Sequence, residues 1–185
     1  TEPEQRAAQE ALFKIRNGSD LHTLEWKQYR FLSVWYYPAL YVMVGQQCFR
    51  RDLLWLCRRL GRGVKPEEVE TALDDMLDLG LLKEEAGALQ QALGAIDTGK
   101  DINNLSTDKY HRKMIALALE SLDKPVEARG INGLTFSVPK DKIPEVKEKI
   151  REFRRELNEY FSQFDNGEAV YQLNVQFFPL VEGAL

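Results

Sequence analysis

Cysteine and histidine are scarce in this chain, whose 185 residues include two of each. Cys48 and Cys57 lie nine positions apart in apolar surroundings, and the chain has neither a Cys-x-x-Cys pair nor a histidine at zinc-ligand spacing. These absences exclude a structural zinc site. We expect a protein without metal or cofactor that works in a reducing compartment, which we take to be the cytoplasm.

Long hydrophobic runs and a large net charge are also missing. The longest apolar stretch, Phe31 to Val44, is interrupted by Pro38 and is shorter than the about 20 residues that a membrane span needs. A net charge of −4 gives no global field for binding nucleic acid, although a local patch could act. With 44% apolar and 29% charged residues, the composition is that of a soluble globular protein with a core and no membrane segment.

The chain opens at Thr1 rather than at methionine, and no signal segment follows. We therefore expect a piece of a longer protein. A lead-in helix and linker cover residues 1–24, a helical unit covers 25–97, and the rest covers 98–185 and can pack with that unit as one domain. The lead-in helix is predicted over Glu2–Arg16, where apolar residues recur at helical spacing.

The unit over 25–97 begins with two predicted helices. From Trp26 the apolar residues recur every three or four positions, which predicts a buried helix to Gly45 with a bend or restart at Pro38. The next helix is predicted from near Cys48 to Gly61, where glycines interrupt the pattern.

A further helix and a hairpin complete this unit. Pro66 is suited to the first position of a helix that ends at Gly80. Leu81–Glu85 and Ala88–Leu93 are predicted as two short strands around an Ala86-Gly87 turn. Two short helices followed by a hairpin is the order of elements in a winged helix. The alternative is a helical hairpin with a loose loop.

The last third differs in pattern. A helix capped by Ser106 or Thr107 closes at Pro125, and the segments Leu134–Val138 and Tyr171–Phe177 alternate with the period of a half-buried strand. Between these segments a helix carries one apolar stripe, formed by Ile143, Val146, Ile150, Phe153, Leu157, Tyr160 and Phe164. Strand, helix and strand predict a parallel βαβ unit. Because two strands alone are marginally stable, the hairpin, a further strand or a second copy of the chain must extend this sheet. The expected fold class is therefore α+β and mostly helical, with a winged-helix-like unit, flanking helices and a βαβ unit.

Charge is divided between the two helices of the winged-helix-like unit. Basic residues gather on and after the first of them, at Arg50, Arg51, Arg58, Arg59, Arg62 and Lys65. The second helix is acidic, and its predicted outward face consists of Glu67, Glu70, Thr71, Asp74 and Asp78. Such a face repels phosphates, so insertion of this helix into a DNA groove is disfavoured. The basic residues are candidates for holding DNA in another geometry or for pairing with the neighbouring acids, and Glu67, Glu70 and Asp74 are candidates for a protein contact.

Two further groups of residues are candidates for binding. The aromatic residues Trp26, Tyr29, Trp35 and Tyr36 could line a small-ligand pocket, although stripes at helical spacing more often form core. The amides Gln172, Asn174 and Gln176 share one face of the last predicted strand and could hydrogen-bond a ligand or a partner. Exposed amides on a sheet are also common without any such role.

Catalytic motifs are lacking. His111 follows Tyr110 on a predicted helix, with Asp108 nearby, and could in principle act as a base. No serine or cysteine lies in a strand-to-helix elbow, and no glycine-rich phosphate loop is present. We expect a surface or capping histidine and a protein that is not an enzyme.

The ordered motifs FLSVWYYPALYVM, VETALDDMLDLGLLK, DTGKDI, YHRKMIALALESLD, LTFSVPKDKIPEVKEKIREFRREL and VYQLNVQFFPL carry a resemblance. Together, from about Trp26 to Leu180, they resemble a family of bacterial conserved-hypothetical proteins regarded as transcriptional regulators. In that family a helix-turn-helix domain precedes a C-terminal domain of unknown function. The resemblance implies that this chain is the C-terminal domain and that DNA binds to a domain upstream of Thr1.

The preferred function is therefore a regulatory and dimerisation domain of a bacterial transcriptional regulator, which relays a signal or its own self-association to the N-terminal DNA-binding domain. The expected partners are a second copy of the chain and a signalling protein. Two-fold operators favour two-fold proteins. A protein-interaction adaptor with no DNA role is the second hypothesis, and direct DNA binding through the basic residues is the third.

Overall fold

The structure is a computed structural model that describes residues 20–92, 105–164 and 166–181. It divides into two compact units. The first runs to Arg112 and includes Asn166–Val170, and the second runs from Lys113 to Asp165 and resumes at Tyr171. The predicted lead-in helix over Glu2–Arg16 lies outside the described residues.

The first unit opens with two helices, α1 (Asp20–Ser33) and α2 (Tyr36–Val44). The predicted continuous helix from Trp26 is thus interrupted before Tyr36, two positions earlier than Pro38. Pro38 lies in the first turn of α2, where the missing backbone N–H costs nothing because the first turn has no intrahelical acceptor for it. The proline therefore begins a helix instead of bending one.

Two further helices, α3 (Leu53–Leu60) and α4 (Pro66–Asp78), follow. The side chain of Asp52 caps α3 by accepting a hydrogen bond of 3.0 Å from the backbone N of Trp55. The predicted start near Cys48 is therefore wrong, because this cap places the chain before Leu53 outside the helix. At the start of α4, the Glu68 side chain accepts a 3.0 Å hydrogen bond from the backbone N of Lys65, and Pro66 takes the predicted first position.

The predicted hairpin is present as β1 (Leu82–Glu85) and β2 (Ala88–Gln91), which pair antiparallel. Ala86 and Gly87 have φ angles of 51° and 78°, the left-handed values that a tight two-residue turn requires. Gln91 joins β2 to α2, since its Nε2 donates a 2.7 Å hydrogen bond to the Tyr41 carbonyl. A Cβ at Gly45 would lie 2.7 Å from Gln91 Oε1, so only glycine fits there without moving Gln91.

One core fills the first unit. Helix α4 contacts α1, α2, α3 and β1, and β2 closes against α2. The buried side chains with no exposed surface include Leu40, Leu56, Val69, Ala72 and Met76. Each such aliphatic side chain larger than alanine contributes about 1.5–3 kcal/mol through burial. The first unit therefore buries enough apolar surface to fold around its own core.

The second unit is built mainly from α5 (Leu105–Glu120), which begins in the first unit, and α6 (Ile143–Phe161). Three short 3-10 turns, Ser121–Asp123, Val126–Ala128 and Lys140–Lys142, lie between these helices. Met114 is the one buried apolar side chain of this unit among the described residues. The prediction of an α+β, mostly helical chain is confirmed, but the apolar residues of the second unit lack a core of the kind that the first unit has.

The predicted βαβ unit is not what the structure shows. Within the described residues the sheet consists of β1 and β2, and neither Leu134–Val138 nor Tyr171–Phe177 is a strand. A strand requires a backbone partner, whereas alternation only supplies a suitable pattern of side chains. The two segments meet through side chains, since the rings of Phe136 and Phe177 stack with centroids 6.1 Å apart.

Candidate functional site

A continuous stripe of apolar side chains lies along α6. We call its positions Ile143, Val146, Ile150, Phe153, Leu157 and Tyr160 the α6 seam. They are separated by alternating steps of three and four residues, the spacing of the a and d positions in a coiled coil. None is fully buried: Phe153 and Tyr160 are 50% and 56% exposed, whereas Ile143, Val146, Ile150 and Leu157 are partly buried. The seam has the pattern of a helix–helix contact.

An aromatic cluster continues the seam at the end of α6. The ring centroids of Tyr160 lie 5.1 Å from Phe161 and 5.4 Å from Phe164, and all three rings remain more than half exposed. Contiguous exposed aromatic surface is characteristic of protein interaction sites. The cluster therefore extends the candidate contact beyond the last turn of the helix.

The opposite face of α6 is occupied by charges that pair within the helix. Glu148 accepts hydrogen bonds from Arg151 at 2.7 Å and from Arg155 at 3.3 Å, and Lys149, which flanks the seam, pairs with Glu152 at 3.2 Å. The hydrogen bond from Arg151 lowers the pKa of the Glu148 carboxyl below its usual value. These pairs hold the polar face in water and orient the apolar face as the one available to a partner.

Both extended segments of the second unit, Leu134–Val138 and Tyr171–Phe177, also carry exposed apolar side chains. Leu134 and Tyr171 are 83% and 74% exposed, and Leu173 and Val175 are close to half exposed. Among the predicted amide candidates, Asn174 donates a 3.0 Å hydrogen bond from Nδ2 to the Met114 carbonyl, and Gln172 donates to the adjacent Leu173 carbonyl. Gln176 is exposed. Asn174 therefore secures its own segment to α5.

The predicted basic residues lie around α3, and several have partners within the first unit. Arg51 pairs with Glu84 of the hairpin. Arg59 stacks over the Trp55 ring and donates a 2.6 Å hydrogen bond to the Glu168 carbonyl, and Arg62 stacks over the Trp35 ring. The remaining members, Arg50, Arg58 and Lys65, are exposed at the surface of the unit. Much of this positive charge is therefore engaged by the domain itself.

The predicted outward face of α4 is exposed as expected. Glu67, Glu70, Thr71, Asp74 and Asp78 all lie at the surface, and Asp78 pairs with Lys27 of α1. This places several carboxylates on the helix that follows α3. The interaction candidates Glu67, Glu70 and Asp74 are thus accessible.

Asp75 is a buried, hydrogen-bonded carboxylate that the sequence pattern does not distinguish from its acidic neighbours. Its carboxylate is buried, accepts a 2.6 Å hydrogen bond from the Tyr37 hydroxyl and pairs with the Arg30 guanidinium at 2.5 Å. Burial raises the pKa of Asp75, and burial together with this hydrogen bond raises that of Tyr37. Its position three residues after buried Ala72 was the available signal. The cluster joins α1, α2 and α4 inside the first unit.

Comparison with known protein families identifies the family of this chain. Residues 16–180 match the model of a domain of unknown function, DUF4423. The chain belongs to the DUF4423 family. Neither the search of curated proteins nor the search of solved structures returned a match. The predicted resemblance to a domain of unknown function is thereby confirmed.

The aromatic candidates of this DUF4423 domain pack against one another. Tyr36 is buried, stacks on Tyr37 with centroids 5.5 Å apart and meets the Trp35 ring edge-on at 5.8 Å. Tyr29 is partly buried, and burial raises the pKa of its hydroxyl. Trp26 belongs to α1, but its side chain is outside the described part. The described aromatic rings therefore contribute to the core and its margin.

The candidate base of the DUF4423 domain lies on α5. His111 is exposed and its ring lies 5.6 Å from that of Tyr110. Asp108 is exposed on the same helix. In the described ranges, no group of three or more histidine, cysteine, aspartate or glutamate side chains could hold a metal ion. No helix in those ranges is long and apolar enough to span a bilayer.

Alkaline pH should report on the buried Tyr37 hydroxyl. The pKa of the Tyr37 hydroxyl is higher in the folded protein than in the unfolded chain, so on raising the pH the unfolded chain loses this proton at a lower pH than the folded protein does. The free energy of unfolding should therefore fall by about 1.4 kcal/mol per pH unit above about pH 10. Tyr37→Phe should cost about 1–2 kcal/mol at pH 8, because Asp75 loses a donor, and this cost should shrink at pH 11. Urea unfolding of both proteins at the two pH values measures the difference. An equal cost at pH 8 and pH 11 would contradict the prediction.

Proposed function

We propose that this DUF4423 domain is the regulatory and dimerisation domain of a bacterial transcriptional regulator, in which the second unit forms a homodimer contact. The observation that carries the proposal is the contrast between the two units. The first buries an extensive apolar core, whereas the second leaves the α6 seam only partly buried and exposes the aromatic cluster and apolar side chains of both extended segments. Such exposed surface on a soluble domain is stabilised by association.

A second copy is a suitable partner for this surface. Homodimers with two-fold symmetry are the commonest assemblies of soluble proteins, and a two-fold contact uses the same patch on both chains. The side chains of the extended segments also alternate in character, a pattern that suits pairing with a second copy.

The first unit has a different role in the proposal. Its order of α3, α4 and a hairpin is that of a winged helix, and we propose a winged-helix-like unit. Its exposed α4 face is acidic, with Glu67, Glu70 and Asp74 at the surface, which favours a protein partner over duplex DNA. This unit would receive a signalling protein, and DNA would bind to a separate domain of the regulator.

The same acidic face favours a second candidate, a protein-interaction adaptor without any DNA role. Both candidates use the same surfaces and differ in whether the longer protein binds an operator. Recovery of a signalling protein together with failure of the full-length protein to bind any operator would favour the adaptor.

Sedimentation velocity of the whole chain tests the dimer. From nanomolar to micromolar concentration, the measured mass should rise from the 21.4 kDa of one chain to that of two. The reason is that association through the second unit depends on the concentration of the chain, so a higher concentration favours the dimer. A strict monomer throughout that range would overturn the proposed function.

A further inference from the structure

We infer that the two copies pair through an antiparallel contact between their α6 helices, with the α6 seam at its centre. This inference rests on the proposed dimer and specifies its surface and direction. The seam repeats with the period of 3.5 residues that lets one helix keep its apolar side on another. The helix is long enough to present the whole α6 seam to a second copy, since Ile143–Phe161 spans about 28 Å at 1.5 Å per residue.

Antiparallel pairing uses every residue of the seam. Because a positions face d positions in an antiparallel pair, Ile143 faces Tyr160 of the second copy, Val146 faces Leu157 and Ile150 faces Phe153. In each layer except that of Val146 and Leu157, an aliphatic side chain opposes an aromatic one. Two of the three layers therefore combine side chains of different size, which suits close packing.

The charged residues that flank the α6 seam favour an antiparallel over a parallel arrangement of the two α6 helices. In a parallel pair Lys149 would lie beside Arg154 of the second copy and Lys142 beside Lys147, so every flanking contact between charged groups would be repulsive. In the antiparallel pair Lys149 faces Glu156 of the second copy, while Lys147 faces Arg154. Half of these contacts then become attractive, and the helix dipoles also oppose each other favourably.

Cysteine cross-linking tests the direction in the full chain. In a background where Cys48 is replaced by serine and Cys57 by alanine, one chain carries Val146→Cys and a longer tagged chain carries Leu157→Cys. Antiparallel pairing places these two positions together, and oxidation of the mixture should link most of the mixed dimer. Val146→Cys alone should not link, because its two copies are about 16 Å apart along the axis.

The outcomes separate the inference from the proposed function. Sedimentation under reducing conditions first establishes that each cysteine variant still dimerises. Efficient linking of Val146→Cys to itself would show a parallel pair, and a dimer that links in neither experiment would show another interface. Either result overturns the inference while the dimer stands. A monomer overturns the proposed function itself.

A charge exchange provides an independent measurement without cysteine. Lys149→Glu should raise the dimer Kd by roughly 3- to 10-fold, because it faces Glu156 of the second copy. Combining it with Glu156→Lys should restore most of the affinity. In a parallel pair Lys149→Glu would instead face Arg154 and tighten the dimer, which would contradict the inference.

Discussion

Replacing Asp75 with alanine should lower the free energy of unfolding by about 3 kcal/mol, because the change leaves the partly buried Arg30 guanidinium without its counter-ion and the buried Tyr37 hydroxyl without its acceptor. The carboxylate is 4% exposed and holds Arg30 of α1 and Tyr37 of α2 against α4. Removing it leaves the Tyr37 hydroxyl without its acceptor and the guanidinium of Arg30 without its partner. Urea unfolding followed by circular dichroism measures the loss.

A matched control for this prediction lies next in the sequence. Asp74→Ala removes the same group from the same helix at an exposed position, so its effect should stay within about 0.5 kcal/mol. Tyr37→Phe combined with Asp75→Ala should cost less than the sum of the two single changes, because both act on one hydrogen bond. Equal destabilisation by Asp74→Ala and Asp75→Ala would contradict a stabilising role for the buried cluster.

Replacing Phe153 with aspartate should raise the Kd of the proposed dimer by at least about 100-fold. Phe153 lies in the middle of the α6 seam and is 50% exposed in the single chain. Two-fold pairing would bring the substitution into the contact twice, and each copy would bury an unpaired carboxylate. Sedimentation over a range of concentrations measures the shift.

Asn158→Asp is the control for the charge itself. It adds one negative charge to the same helix at an exposed position outside the seam, and it should leave the dimer Kd nearly unchanged. Circular dichroism should show the same helix content for both variants. A Phe153→Asp protein that dimerises as well as the control would exclude the α6 seam from the interface.

Local patterns predicted most of the helices and the hairpin, but neither the start of α3 nor the absence of strands in the last third. Apolar spacing indicated the region of α6 and the inner face of α4, where Val69, Ala72, Leu73 and Met76 are buried. The Ala86-Gly87 turn located the hairpin, because few residue pairs adopt two left-handed conformations in succession. The exposed acidic face of α4 followed from the same helical period.

Other features of the candidate site were not available from local patterns. The apolar spacing predicts a bend or restart at Pro38 because proline usually interrupts a helix, whereas the break lies before Tyr36 and Pro38 lies in the first turn of α2. In the sequence Asp75 is one member of an acidic run, and only the fold brings its carboxylate to Tyr37 and Arg30, which are far away in sequence. Pairing across such distances leaves no trace in the spacing of neighbouring residues.

By itself, the sequence determined where helices and the tight turn form and which side of each helix is apolar, since these depend on residues within a few positions of one another. The tertiary structure decided what those sides contact: α4 is enclosed in a core, whereas the α6 seam is not. It also decided that Leu134–Val138 and Tyr171–Phe177 remain extended without a ladder. Burial and strand pairing depend on distant partners, and only the folded chain determines which partners are present.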